Sequence, residues 1–387
     1  MKKYVSSLCL VFLLLISYTG KTYAISDPLH VPNNRIGVHI LFPTEVDKAA
    51  DLINSSGGDW GYITIPIQAG DRDLEKWQAF MDTCKKRHVI PLIRLATEGD
   101  YFNTAVWRKP NDNDITDFAN FLDSLTWPTK NRYIIVFNEV NRGDEWGGTP
   151  DPTDYAQLLS FASLTFKQRS DDFFIISSGL DNAAATTPIA INQYAFLRQM
   201  NDAVPGIFTQ IDGLGSHSYP NPAFSSPPDA NTLMSISSFK YERLLVQQIS
   251  QKTLPVFITE TGWTRLPLSD DTIVSYYQTA FSSVWNDPGI VVVTPFLLQA
   301  NGSQFTNFSL IDANNNQTPE YTVIHSLQKT QGKPLLHEEI LGTKVLAVQP
   351  HITIDFTTSE HEKSSSAVLD SHTVAHFFKW LLRVDQS

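Results

Sequence analysis

Two glutamates close apolar runs far apart in the chain. The first ends Arg132-Tyr133-Ile134-Ile135-Val136-Phe137-Asn138-Glu139. The second lies within Pro255-Val256-Phe257-Ile258-Thr259-Glu260-Thr261-Gly262-Trp263. Each run reads as a buried β-strand that delivers a carboxylate at its C-terminal end. A pair of carboxyl groups brought together from distant segments is the equipment for acid/base cleavage of a glycosidic bond. Either glutamate alone carries little weight, because a carboxylate at a strand end also serves as an ordinary helix-start cap. Two of them after such apolar runs are costly to bury without use.

The pair needs a scaffold that brings strand ends together. From residue 35 the chain alternates short β-rich runs with longer amphipathic segments, the pattern of an α/β protein with a parallel sheet. Eight strands are expected: 35–40, 60–67, 89–95, 132–138, 173–178, 212–217, 255–259 and 291–298. Helical spacing fits 44–55, 114–125, 153–168 and 272–285 between them, and Asp151-Pro152-Thr153-Asp154 is a strong helix start. Eight strands with intervening helices over residues 30–330 predict a (β/α)8 TIM barrel, followed by a short C-terminal extension over 331–387. No Gly-x-Gly-x-x-Gly follows the first strand and no Gly-x-Ser-x-Gly elbow is present, which argues against dinucleotide-binding and α/β-hydrolase folds.

In a barrel of this kind the site lies at the C-terminal strand ends. Those ends supply His39, Gln68, Arg94, Asn138, Glu139, Asp181, Asn182, His217, Tyr219, Glu260, Trp263 and Gln299. That is a polar set to follow such apolar runs. Phe137-Asn138-Glu139-Val140 and Ile258-Thr259-Glu260-Thr261-Gly262-Trp263, on the fourth and seventh strands, resemble the motifs of the clan A glycoside hydrolases. Within that clan they resemble the family 17 β-1,3-glucanases more than the cellulase type, in which proline commonly follows the acid.

The resemblance implies Glu139 as general acid/base and Glu260 as nucleophile of a retaining β-glycosidase. It also implies Asn138 on the sugar 2-hydroxyl, Arg94 beside Glu260, and His217 and Tyr219 flanking that same carboxylate. Trp263 is either core or a sugar-stacking ring; Trp146 is a candidate cleft wall and Asn182 a candidate sugar contact. One departure stands out: many clan members end strand 8 with a tryptophan, and here the run is Thr294-Pro295-Phe296-Leu297-Leu298-Gln299. A transglycosylase or a sugar-binding protein on the same barrel shares every one of these residues.

Composition narrows the partners. Lys2 and Lys3 precede an apolar run over 8–16, too short to span a bilayer, and Thr22-Tyr23-Ala24 is a small-residue cleavage site. Residues 1–24 therefore read as a secretory signal, with a secreted or periplasmic product and no stable membrane insertion after its removal. Loss of its three lysines takes the net charge from −11 to −14. A nucleic-acid partner is disfavoured by that charge, and a neutral carbohydrate is compatible with it. A monomer without cofactor or metal is expected. Once the signal is gone Cys84 is the sole cysteine, so no intrachain disulfide forms, and its surroundings predict a small buried residue. His372 and His376 have metal-ligand spacing, but no glutamate base stands between them.

Overall fold

The structure is a computed structural model that describes residues 25–100, 104–300 and 305–336. The expected signal (1–24), nearly all of the expected extension and the His372/His376 pair lie outside the described residues. Eight strands and eight helices alternate: β1 Gly37–His39, α1 Val46–Ile53, β2 Gly61–Gln68, α2 Leu74–Arg87, β3 Val89–Ala96, α3 Asp112–Asp123, β4 Arg132–Ile135 and α4 Pro152–Arg169. The second half continues with β5 Phe173–Ile176, α5 Gln193–Ala203, β6 Leu214–His217, α6 Ser238–Ser250, β7 Val256–Thr261, α7 Asp270–Ser282, β8 Ile290–Pro295 and α8 Pro319–Ser326. No helix among the described residues is long and apolar enough to cross a membrane.

All strand pairs are parallel. β1 to β5 form one ladder and β6 to β8 a second. Two seams join them: Ile36 bridges Val293 between β1 and β8, and Ile176 bridges Gly213 between β5 and β6. The ring of strands in the expected (β/α)8 fold is thus present. The strands are buried on both faces, so they read as continuous apolar runs and not as alternating ones. Their outer faces pack on the helices. Inside the lower barrel, Tyr133, Phe174 and Phe257 meet with ring centroids 5.0–5.7 Å apart.

Most helices start on a side-chain cap. Asp151 accepts from the backbone of Thr153 and Asp154 at the start of α4, with Pro152 in the first turn. Asn111 and Asp114 form a reciprocal capping box on α3, which therefore begins at Asp112, two residues earlier than its apolar spacing suggested. Cys84 is fully buried on α2, and burial pushes its thiol well up, as expected for a packing residue.

Residues just past 330 still hold to the barrel. Gly332 donates to the Asp59 carbonyl and Lys333 to that of Pro32, while the Leu335 carbonyl accepts from Lys130. Residues 331–336 are therefore joined to the barrel. At the same end, Ile25 and Leu29 pack against the aromatic interior. These segments cover the N-terminal end of the barrel, opposite the strand ends that carry the polar residues.

Candidate active site

The sharpest local departure from regular structure lies at the end of β4. Sequence periodicity predicts an extended strand through Asn138, but the ladder stops at Ile135. Phe137 has φ 67° and Glu139 φ 32°, both in the left-handed region that non-glycine residues rarely enter. The Glu139 amide donates to the Gly179 carbonyl beyond β5, which helps to hold this turn. Asn141 then ties the same loop to the one after β5: its side chain donates to the Asp181 and Ile191 carbonyls and accepts from the Asp181 amide. Glu260, by contrast, sits within strand β7, at a point where the pairing register shifts against both neighbouring strands.

The two glutamates converge. One carboxylate oxygen of Glu139, one of Glu260 and a ring nitrogen of His217 all lie within 4.8 Å of one another. Both glutamates line a cavity of about 320 Å³, which also presents Arg94, Asn138, Tyr219 and Phe296.

Their surroundings differ in kind. Glu260 is 7% exposed and is surrounded by donors. Arg94 Nη1 donates to its Oε1, and the Tyr219 hydroxyl donates to its Oε2 at 3.1 Å. His39 Nε2 lies 3.5 Å from Oε1. Burial pushes this carboxyl up, but the charges of His217 and Arg94, with the Arg94 hydrogen bond, prevail and hold it well below the usual carboxylate range. Glu139 has one close donor, His217 Nδ1, at 2.9 Å from Oε1. Burial raises its carboxyl, the negative charges of Asp181 and Glu260 act the same way, and the result lies above the ordinary value despite His217. His217 is itself raised: burial lowers it, but Glu260 and its hydrogen bond to Glu139 outweigh that. Completely buried His39 goes the other way, to about 3, through burial and the nearby Arg94 charge, and it stays neutral.

Several expected residues occupy other places. His217 was expected on the Glu260 carboxylate, but its hydrogen bond goes to Glu139 and it stands 3.8 Å from Glu260. The seam between β5 and β6 explains this, because the end of β6 lies beside the turn that carries Glu139. Trp146 is not a cleft wall. It is 1% exposed, against Phe137 and Tyr155 in the core. Trp263 is likewise core, packed on Tyr276, Tyr277 and Trp285 with its indole N–H donating to the Ser226 carbonyl. Asn182 is buried behind Tyr219, donating to its carbonyl at 2.9 Å, so it holds a site residue in place and does not line the cavity. Arg94 also donates to Asn138 Oδ1 at 2.7 Å, which leaves the Asn138 amide nitrogen as the donor it can offer.

The cavity also holds residues that the strand-end rule did not select. Arg142, Asp144 and Glu145 come from the loop after β4, and Trp107 from the loop after β3. Phe224, Phe305 and Phe308 join Phe296 on an aromatic wall. Burial, with the Glu139 charge beside it, pushes the Glu145 carboxyl up to about 7. The available signal for the first three was the charged run Arg142-x-Asp144-Glu145 directly after the strand-4 motif. Glu139, His217 and Glu260 are close enough to surround one cation. The guanidinium groups of Arg94 and Arg142 already bring positive charge to these carboxylates, so a metal would compete with fixed cations there.

No protein-family model matches the chain, and no curated protein matches it in sequence. Solved structures do share its fold. A family 39 glycoside hydrolase from Bacteroides cellulosilyticus aligns over 79% of this chain and 65% of its own, at 20% identity and a TM-score of 0.55. A family 39 β-xylosidase from Caulobacter crescentus aligns over 82% and 76%, at 12% identity and a TM-score of 0.51. An exo-β-1,4-mannosidase from an Opitutaceae bacterium aligns over 79% and 61%, at 14% identity and a TM-score of 0.51. The chain thus spans less than two thirds of the length of the first and third. At these identities the likeness is one of fold, a (β/α)8 barrel.

Proposed function

We propose that the protein is a retaining β-glycoside hydrolase acting on a β-linked oligo- or polysaccharide by double displacement. The observation that carries the reading is the pair Glu139 and Glu260: one oxygen of each within 4.8 Å of the other, and pushed in opposite directions by their surroundings. Retaining enzymes hold the two carboxyl groups ~5–5.5 Å apart, whereas inverting ones leave a wider gap for water. Opposite shifts of two neighbouring carboxyls are also how acid and nucleophile are told apart.

In the first step Glu260, ionised, attacks the anomeric carbon while Glu139 gives its proton to the leaving glycosidic oxygen. A covalent glycosyl-enzyme forms, and the aglycone departs as an alcohol. In the second step Glu139, now a carboxylate, takes a proton from water as the water oxygen attacks the same carbon and Glu260 leaves. Arg94 and Tyr219 keep the nucleophile ionised and oriented. The Asn138 amide nitrogen donates to the sugar 2-hydroxyl, a contact that strengthens as positive charge develops on the ring. Phe296 supplies an aromatic surface at the end of β8, where a tryptophan is missing. The steps need no cofactor. The short apolar leader at the N-terminus supports action outside the cytoplasm.

The test is chemical rescue. Glu260→Ala loses at least ~10^4-fold in turnover of an activated aryl β-glycoside, and azide restores turnover to give a glycosyl azide of inverted configuration. Glu139→Ala with azide gives the retained configuration instead. Undiminished hydrolysis by Glu260→Ala would overturn the assignment.

A further inference from the structure

The two oxygens of Glu139 keep different company. Oε1 lies 2.9 Å from His217 Nδ1. That nitrogen also lies 3.8 Å from Glu260 Oε2; facing two acceptors, it is assigned the ring hydrogen and donates. When Glu139 is protonated, its proton therefore sits on Oε2, and 3.6 Å from Oε2 is Nη1 of Arg142.

Arg142 is not free to choose that position. Its Nε and Nη2 donate to the two carboxylate oxygens of Asp144 at 3.0 and 2.5 Å. Its Nη1 donates to Asp181 at 3.4 Å. The backbone is held as well: the Arg142 amide donates to the Glu139 carbonyl and Gly143 to the Ile189 carbonyl, and Arg142 pairs with Ala190 across the loops after β4 and β5. The fork geometry of a guanidinium suits this, since one face takes a carboxylate in two bonds and leaves the third nitrogen aimed elsewhere.

We propose that Arg142, locked by Asp144 and Asp181, is a positioning residue that governs how readily Glu139 releases its proton. The consequence for turnover rests on the glycosidase reading above. The effect on the Glu139 carboxyl does not.

The other charged or titratable groups around Glu139 come from every neighbouring element. They are His39 on β1, Arg94 on β3, Asp144 and Glu145 on its own loop, Asp181 after β5, His217 on β6, Tyr219 just after it and Glu260 on β7. Arg94 is committed to Glu260 and Asn138, and His217 serves Oε1. Arg142 is thus the cation beside Oε2. Without its charge, burial and the surrounding carboxylates act on Glu139 with less opposition, and the proton is held more tightly. Neutralising Asp144 does the reverse: the guanidinium loses its closest counter-charge and acts more strongly on Glu139. The two variants should therefore move Glu139 in opposite directions, whereas simple disturbance of the loop would move both the same way.

The experiment is a carbon-13 NMR titration of the Glu139 side-chain carboxyl in the full chain, assigned with Glu139→Gln. Arg142→Gln should raise the midpoint by about one pH unit, a tenfold change in proton affinity. Asp144→Asn should lower it, and Arg142→Lys, which keeps a cation, should stay near wild type. The basic limb of kcat/KM should follow each midpoint. An unmoved midpoint in Arg142→Gln, a shift of the same sign in Asp144→Asn, or a lysine variant displaced as far as the glutamine one would each overturn the proposal. Midpoints that move as expected in a protein without glycosidase turnover would uphold it and overturn the proposed function instead.

Discussion

Glu139 and Glu260 are the same residue type at the C-terminal sides of two strands, and what separates their acidities is which donors reach them. Glu260 receives a guanidinium and a phenol on its two oxygens, with a neutral imidazole nearby. The Tyr219 hydroxyl is the donor that can be removed most cleanly, because phenylalanine keeps the buried ring. A hydrogen bond to a charged group is worth about 1.5–3 kcal/mol. Tyr219→Phe should therefore lower kcat/KM roughly 10- to 100-fold. The lost donor favoured the ionised carboxylate, so the Glu260 carboxyl rises and the acid limb of the pH profile moves to higher pH. Steady-state profiles of both proteins test this; a large loss of activity with an unmoved acid limb would mean that Tyr219 acts on the sugar and not on Glu260. The motif resemblance pointed to the Glu260 contacts of Arg94 and Tyr219. It did not reveal Arg142 or Glu145, because loop residues are positioned by hydrogen bonds such as those of Asn141, and no periodicity encodes them.

At the scale of elements, the eight strands were legible because each is a short apolar run buried on both faces, with polar punctuation between. Their ends were less so. β4 stops at Ile135 because Phe137 and Glu139 turn out of extended geometry, and the apolar pattern through Phe137 gives no sign of it. Trp146 misled and Trp263 stayed open for a related reason: a large ring just past a strand end faces either the cleft or the helix layer, and composition does not distinguish the two. The packing between the ends of β5 and β6 is close enough to test. A Cβ on Gly179 would overlap the His217 ring, whose Nδ1 reaches Glu139. Gly179→Ala should cost about 1–3 kcal/mol as overpacking and should weaken activity by displacing the imidazole. In a His217→Ala background the same change should cost close to nothing, because the clash is gone. Denaturant unfolding of the four proteins in the cycle measures that difference. Equal costs in both backgrounds would show that Gly179 serves the backbone and not the histidine.

At the scale of the whole molecule, the ends of the barrel are the least legible part of the fold. Residues 25–33 and 331–336 close the N-terminal end through scattered backbone hydrogen bonds, which leave no pattern in sequence. The molecule also carries buried acid away from its cavity, and this makes a claim about global stability. Glu242 on α6 is 2% exposed and accepts from Ser216 on β6 at 3.1 Å, within a group of serines that includes Ser218 and Ser238. Burial raises its carboxyl from 4.5 to about 7. Below 4.5 the folded and unfolded chains both hold this proton, and the site favours the fold fully. As pH climbs from 4.5 through 7 the unfolded chain releases the proton first, so the fold loses stability, by about 3 kcal/mol once both states are ionised. Glu242→Gln is neutral at every pH and keeps the shape and the acceptor for Ser216. Its melting temperature should match wild type at pH 4 and exceed it by roughly 5 °C at pH 8.5. A difference of the same size at both pH values would show that the substitution acts through packing, and would remove Glu242 as a source of the molecule's pH dependence.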